Sequence, residues 1–231
     1  MASNDTDTIA GLTEQQVRFF ETFGFLKLPG LFRDDVDEIS EAFAEVFATE
    51  GHPRMETHVE LHGEERRLII PQFVTKHPRL DALREDPRVV GIVTSLLGPV
   101  HEYAESDGNL FDCESFWHSD TYGAPMLIHH VKLSFYLDDL RADSGAIRVI
   151  PGSHHFKETF ATDLRRGFRE PAEIEGHFGV DARDIPSIAI ETRPGDLVVW
   201  DFRTIHASYY GHTGRRLFSI NYRERSTEPV A

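Results

Sequence analysis

From about residue 100 onward the chain reads as short strands cut by glycine and proline, and this pattern limits the possible folds more than any other feature. HHVKLSFYLDDL alternates: Val131, Leu133, Phe135 and Leu137 point one way, and Lys132, Ser134 and Tyr136 the other. A turn at Asp143-Ser144-Gly145 leads into AIRVIPGSHH. Pro194-Gly195-Asp196 launches LVVWDFRTIHAS, read as one strand ending near His206, and RRLFSINYRE forms the last strand. Many short strands with such corners predict a sandwich or jelly-roll barrel rather than a parallel sheet.

The first hundred residues read differently. Thr13 and Gln16 have capping-box spacing, and Val17, Phe20 and Phe23 or Gly24 continue a helical face. FGFLKLPG reads as a short strand. Asp34 is placed to cap a second helix carrying Val36, Ile39, Phe43, Val46 and Phe47, which Gly51 ends. Two more helical stretches follow Pro78 and Pro87. No repeat, low-complexity tract or linker separates the halves. Residues 1–231 therefore read as one domain, mainly β with flanking α-helices: a helical third at about 1–100 on a jelly-roll core at about 100–225. The charged, weakly periodic residues 156–187 read as a lid over a site.

Charge and cysteine content narrow the partners. Lys plus Arg is 24 and Asp plus Glu 39, a formal charge of −15, which repels a nucleic-acid backbone. No basic amphipathic stretch or long apolar run suggests a membrane, and the polar start MASNDTDTIAG lacks a signal-peptide core. Cys113 is the only cysteine, so no intramolecular disulfide forms; it reads as a small buried hydrophobe in a reducing, cytoplasmic protein. A small-molecule partner is expected, and nothing indicates an oligomeric state.

Three His-x-carboxylate triplets compete as metal sites: His58-Val59-Glu60, His62-Gly63-Glu64 and His118-Ser119-Asp120. His58 and His62 have the i, i+4 spacing of a helical zinc pair, but they lack an HExxH form and a nearby third ligand, and read as an exposed loop. His118 and Asp120 lie in an extended segment, where residues two apart share a face. His206, with Ser208 two residues on, is the best third ligand. Two histidines and a carboxylate on one face leave three positions open, as in non-haem Fe(II) oxygenases. The adjacent pairs His129-His130 and His154-His155 read as structural or solvent-facing.

FWHSDTYG, LDDLRADSGAIRVIPGSHH, PGDLVVWDFRTIHAS and RRLFSINY, in this order over roughly residues 100–223, resemble the phytanoyl-CoA dioxygenase (PhyH-like) family. The WHSD segment is also similar to that of ectoine hydroxylase, and FFETFGFLKLPGLF resembles the family in a general way. The resemblance implies a double-stranded β-helix (cupin-like jelly roll) and an Fe(II)- and 2-oxoglutarate-dependent dioxygenase. Such an enzyme consumes O2 and releases succinate and CO2. It makes His118, Asp120 and His206 the iron ligands and Arg215 the partner of the distal 2-oxoglutarate carboxylate; a guanidinium binds a carboxylate bidentately. Strand parity favours Arg215 over Arg216, because Ser219 then falls four residues on, as in the family. Ser208, and with weaker correspondence Ser134, match serines near 2-oxoglutarate; Lys132 and Tyr136 share the face of Ser134.

Hydroxylation of an unactivated C–H bond is the expected outcome, since related halogenases replace the carboxylate that Asp120 retains. Desaturation, cyclisation or epimerisation uses the same ligands. The other readings are a catalytically silent cupin-like binding module and a zinc hydrolase. Specificity is expected in residues 52–75 and 156–187, where Arg165, Arg166 and Arg169 are the only hint of a CoA phosphate.

Overall fold

Capping chemistry sets the first elements of the computed structural model, which describes residues 11–50, 54–56, 66–121, 126, 128–155, 171–211 and 214–225. Helix α1 (Glu14–Phe23) begins with the expected reciprocal box: Gln16 N donates to Thr13 Oγ1, and Thr13 N to Gln16 Oε1 at 2.9 Å. It ends at Gly24, whose φ of +79° few other residues tolerate. Strand β1 (Phe25–Leu28) follows.

Helix α2 (Val36–Thr49) starts one residue later than expected, with Asp35 rather than Asp34 at its N-cap. Asp35 makes no side-chain cap, because its carboxylate is taken by Arg79 and Arg88 at 2.7 Å each. The helix ends at Glu50; Gly51 lies outside the described residues. After β2 (Arg54–Glu56), β3 (Arg66–Pro71) and the short α3 (Pro78–Asp81), Asp86 caps α4 (Pro87–Leu97) by accepting from Arg88 N at 2.9 Å.

The strand-rich half supplies β4 (His101–Asp112), β5 (Ser115–His118), β6 (His130–Tyr136), β7 (Ile147–Val149), β8 (Ile188–Ile190), β9 (Leu197–Asp201), β10 (His206–Ser208) and β11 (Arg215–Glu224), with helix α5 (Pro171–Phe178) between β7 and β8. They form a seven-stranded sheet, β1-β9-β6-β11-β4-β3-β2, and a four-stranded sheet, β5-β10-β7-β8. Every strand pairing is antiparallel.

Period-two alternation divides the large sheet into two faces. Val131, Leu133 and Phe135 of β6 and Phe218, Ile220 and Tyr222 of β11 pack with Phe20, Ile39, Phe43, Leu80 and Val93 of the helices. Each such side chain contributes about 1.5–3 kcal/mol on burial. The opposite face meets the smaller sheet, where Tyr136, Val198 and Trp200 pack with Ile147, Val149 and Ile190. One layer of helices and two facing sheets therefore leave the polar positions of β6 and β11 between the sheets, in the jelly-roll arrangement expected.

Three expectations change. LVVWDFRTIHAS is not one strand: β9 belongs to the large sheet and β10 to the small one. The break follows from Asp201, whose Oδ1 accepts from Arg203 N at 2.8 Å and closes an Asx-turn. Thr204 N then donates to Asp201 O at 2.8 Å, and the chain crosses to the second sheet. Residues 52–75 contain β2 and β3, which extend the large sheet beyond β4. Within 156–187, α5 and the turn Ala182–Asp184 are ordered elements, with Ile174 and Ile185 packed on Trp117 and Tyr209. No helix among the described residues is long and apolar enough to cross a membrane.

Candidate active site

The candidate site lies where β5 pairs with β10 in the smaller sheet. His118 and His206 are direct cross-strand partners, with ring centroids 4.2 Å apart. Asp120 lies just beyond β5, fixed by its backbone N–H donating to Phe202 O at 2.9 Å. One ligand atom from each of His118, Asp120 and His206 lies within 4.8 Å of the others. Strand pairing thus joins residues 86 positions or more apart in sequence. His58 and His62 lie outside the described residues.

Neighbouring groups orient these side chains. His206 Nδ1 sits 2.9 Å from Thr204 O. A carbonyl only accepts, so Nδ1 carries the proton and the Nε2 lone pair faces Asp120 Oδ1, 4.0 Å away. Burial holds the His206 ring below the usual imidazole range, against the opposing pull of Asp120. For Asp120, burial alone would raise the carboxyl; Lys132, His206, His118 and the Trp200 indole outweigh it and keep the group well below the usual carboxylate range. Trp200 Nε1 donates to Oδ2 and Lys132 Nζ to Oδ1, each at 3.0 Å. His206 therefore presents a neutral imidazole nitrogen and Asp120 an ionised carboxylate, and with the His118 imidazole beside them they form a donor set suited to a divalent first-row metal.

Arg215 lies at the other end of the same cavity, 3% exposed, with Phe111 beneath its guanidinium at 5.0 Å. It donates to Gly145 O at 2.7 Å, Cys113 O at 2.6 Å, Gly211 O at 3.3 Å and Ser208 Oγ. No carboxylate pairs with it among the described residues, and burial lowers its affinity for the proton. Gly145 and Gly211 are needed for this approach: a Cβ on either would come within 2.5 Å of the Arg215 side chain. Arg216 points away and pairs with Asp138 at 2.7 Å. The parity argument therefore picks the arginine that lines the cavity.

Ser208 Oγ accepts from Arg215 and donates to Gly145 O at 2.9 Å. Ser134 is fully buried on the cavity wall, and its hydroxyl has no hydrogen-bond partner. It lies across from Ser219 rather than beside Arg215. Lys132 and Tyr136 line the same wall. Burial, only partly offset by Arg215, holds the Tyr136 phenol well above its ordinary range, so it is a neutral donor.

The remaining residues have structural contacts. His129 Nε2 meets Asp201 Oδ2 at 2.7 Å; His130 bonds to Ile128 O at 2.8 Å and packs on Phe202. His154 and His155 both reach Glu21 O at 3.0 Å. Cys113 is buried, its carbonyl bound by Arg215. Sequence reasoning missed Trp200, which stands as one aromatic in the apolar run LVVWD. It also missed Glu105, Asp107, Asn109 and Arg67, which line the cavity of about 170 Å³. Their available signal was the polar alternation Glu105, Asp107, Asn109 in a strand whose other positions include buried Ser106.

Residues 20–217 match the phytanoyl-CoA dioxygenase (PhyH) family. No curated protein matches the sequence. Among solved structures, the non-haem α-ketoglutarate-dependent carbocyclase SnoK from nogalamycin biosynthesis superposes with a TM-score of 0.73 at 22% identity, covering 94% of this chain and 86% of SnoK. EctD from S. alaskensis with bound Fe gives 0.70 at 22%, covering 99% and 82%. HygX from Streptomyces hygroscopicus with nickel and 2-oxoglutarate gives 0.67 at 20%, covering 92% and 87%. At these identities the likeness is one of fold. The family match spans most of the chain and both ends of the cavity, so this protein belongs to the phytanoyl-CoA dioxygenase (PhyH) family of Fe(II)- and 2-oxoglutarate-dependent oxygenases.

Proposed function

We propose that the protein hydroxylates an unactivated C–H bond of a small molecule. His118, Asp120 and His206 hold Fe(II), and Arg215 with Ser208 holds the far carboxylate of 2-oxoglutarate. The observation that carries this reading is the pairing of two features in one cavity: a two-imidazole, one-carboxylate donor set and a buried guanidinium with no carboxylate of its own. A buried charge without a counter-ion is costly, and a ligand carboxylate removes that cost.

The residues fit both groups. When bound, iron supplies the activation of O2 that couples decarboxylation of 2-oxoglutarate to oxidation of substrate, giving succinate, CO2 and an alcohol. The protein's own residues position and shield. Trp200 fixes one Asp120 oxygen, Thr204 fixes the His206 tautomer, and Lys132 neutralises the second Asp120 oxygen. Four of the five Arg215 N–H groups are already engaged. The distal carboxylate therefore takes the remaining Nη2 proton and the Ser208 hydroxyl, turned from Gly145 O, in place of a two-pronged guanidinium contact. Ser134, with its open hydroxyl, contributes a further contact along the cavity wall. Asp120 retains the carboxylate, which favours hydroxylation over halogenation.

A silent binding module would place no demand on both ends of the cavity at once, and a zinc hydrolase would have no use for Arg215. The lone buried cysteine supports a reducing, cytoplasmic setting. Protein purified without oxygen and supplied with Fe(II) and 2-oxoglutarate forms succinate when O2 is admitted, faster with a substrate present. Absence of 2-oxoglutarate binding by the iron-loaded protein would overturn the reading.

A further inference from the structure

One wall of the cavity has no role in holding iron or 2-oxoglutarate. Strand β4 turns Glu105, Asp107 and Asn109 toward the cavity. Register sets Glu105 opposite Asn221 and Asp107 opposite Ser219 on β11. On β6, Lys132 is opposite Asn221, and Ser134 opposite Ser219. This wall thus extends sideways from Lys132, which touches Asp120, and lies away from the Arg215 end of β11.

Its two carboxylates have only neutral donors. Asp107 accepts from Ser219 Oγ at 2.6 Å and from Asn109 Nδ2. Glu105 accepts a long bond, 3.3 Å, from Asn221 Nδ2. Among the described residues no cation pairs with either. Lys132 is turned to Asp120 at 3.0 Å, and Arg67 directs its Nε to Asn109 Oδ1 at 3.0 Å. A separate observation points the same way. Asn221 is 1% exposed, its amide is held against Glu105, and its Oδ1 has no hydrogen-bond partner. Two carboxylates without a cationic partner, backed by a buried amide oxygen that no donor meets, form a surplus of acceptors, so the complementary ligand brings N–H donors and positive charge.

We infer that the substrate carries a protonated amine, or an equivalent cationic nitrogen, seated against Asp107 and Glu105, with its oxidised carbon held toward His118, Asp120 and His206. This inference rests on the oxygenase reading above. It makes charge the basis of selection: a neutral analogue leaves both carboxylates without a partner and loses the contact.

Matched probe pairs test it: lysine against Nε-acetyl-lysine, glucosamine against glucose, and hexylammonium against hexanol. Each is titrated by ligand-detected NMR into anaerobic protein loaded with metal and 2-oxoglutarate. The cationic member of at least one pair is expected to bind tenfold or more tightly than its neutral partner. Asp107→Asn is expected to cut that preference to threefold or less, and Glu105→Gln to weaken it in a protein whose circular dichroism matches wild type. Equal binding within every pair, no binding by any probe, or a preference that survives both substitutions overturns the inference. Failure of the wild-type protein to bind 2-oxoglutarate in the same samples counts instead against the oxygenase reading.

Discussion

Replacing Arg215 by methionine removes a buried guanidinium while keeping an unbranched apolar stem. In the structure that group is 3% exposed and bonded to Gly145 O, Cys113 O, Gly211 O and Ser208 Oγ. With 2-oxoglutarate bound, the lost contact is one charge-assisted N–H bond plus the attraction of a desolvated cation for a carboxylate. Breaking a buried pair of this kind costs about 3–5 kcal/mol. At about 1.4 kcal/mol per decade, that is a hundred- to several-thousand-fold rise in the Kd of 2-oxoglutarate. Arg215→Lys retains charge but not the planar geometry and falls between, about 10–100-fold. Isothermal titration under anaerobic conditions reads both, and iron affinity stays near wild type because Arg215 touches none of the three proposed ligands. A 2-oxoglutarate Kd within threefold of wild type in Arg215→Met would refute the assignment and the charge argument behind it.

Other expectations follow from single contacts. Trp200→Phe removes the indole N–H from Asp120 Oδ2 and lowers iron affinity about 10–100-fold in a metal titration, with little change in fold. Gly108→Ala drives a Cβ to 2.1 Å from the buried Phe73 ring; the resulting overpacking costs about 1–3 kcal/mol, a fall of about 2–12 °C in Tm by calorimetry. Burial would raise the Asp201 carboxyl, but Arg203 and His129 hold it well below the ordinary range. A depressed folded pKa stabilises above the unfolded value, about 4, and that stability is lost as pH falls toward the folded value. Wild-type Tm should therefore drop more steeply below about pH 4 than that of Asp201→Asn, and parallel curves would contradict this.

Much of the frame was legible because alternation and capping are local. The two faces of β6 and β11 follow from side-chain parity, which placed Arg215 in the cavity and Arg216 outside it. The same parity put Lys132 and Tyr136 with Ser134. What escaped depends on tertiary pairing. The break between β9 and β10 comes from an Asx-turn at Asp201, which looks like any polar residue in a hydrophobic run. Asp35 and Asp34 are indistinguishable as caps until Arg79 and Arg88 arrive from 44 and 53 positions away. The contact of Trp200 with Asp120 spans 80 positions and crosses between sheets. The acidic wall of β4 was hidden for another reason: a polar strand face ordinarily means solvent, and here, although Glu105 is exposed, the face also lines a cavity.

As proposed above, His118, Asp120 and His206 together hold one iron in this cavity. Anaerobic Fe(II) titration, with bound iron quantified per chain, tests it most directly in the wild type and in His118→Ala, Asp120→Ala and His206→Ala. The wild type is expected to hold one equivalent of tightly bound Fe(II) and each variant to lose it, with the folded state retained by circular dichroism. One tight equivalent persisting in the variants would contradict it.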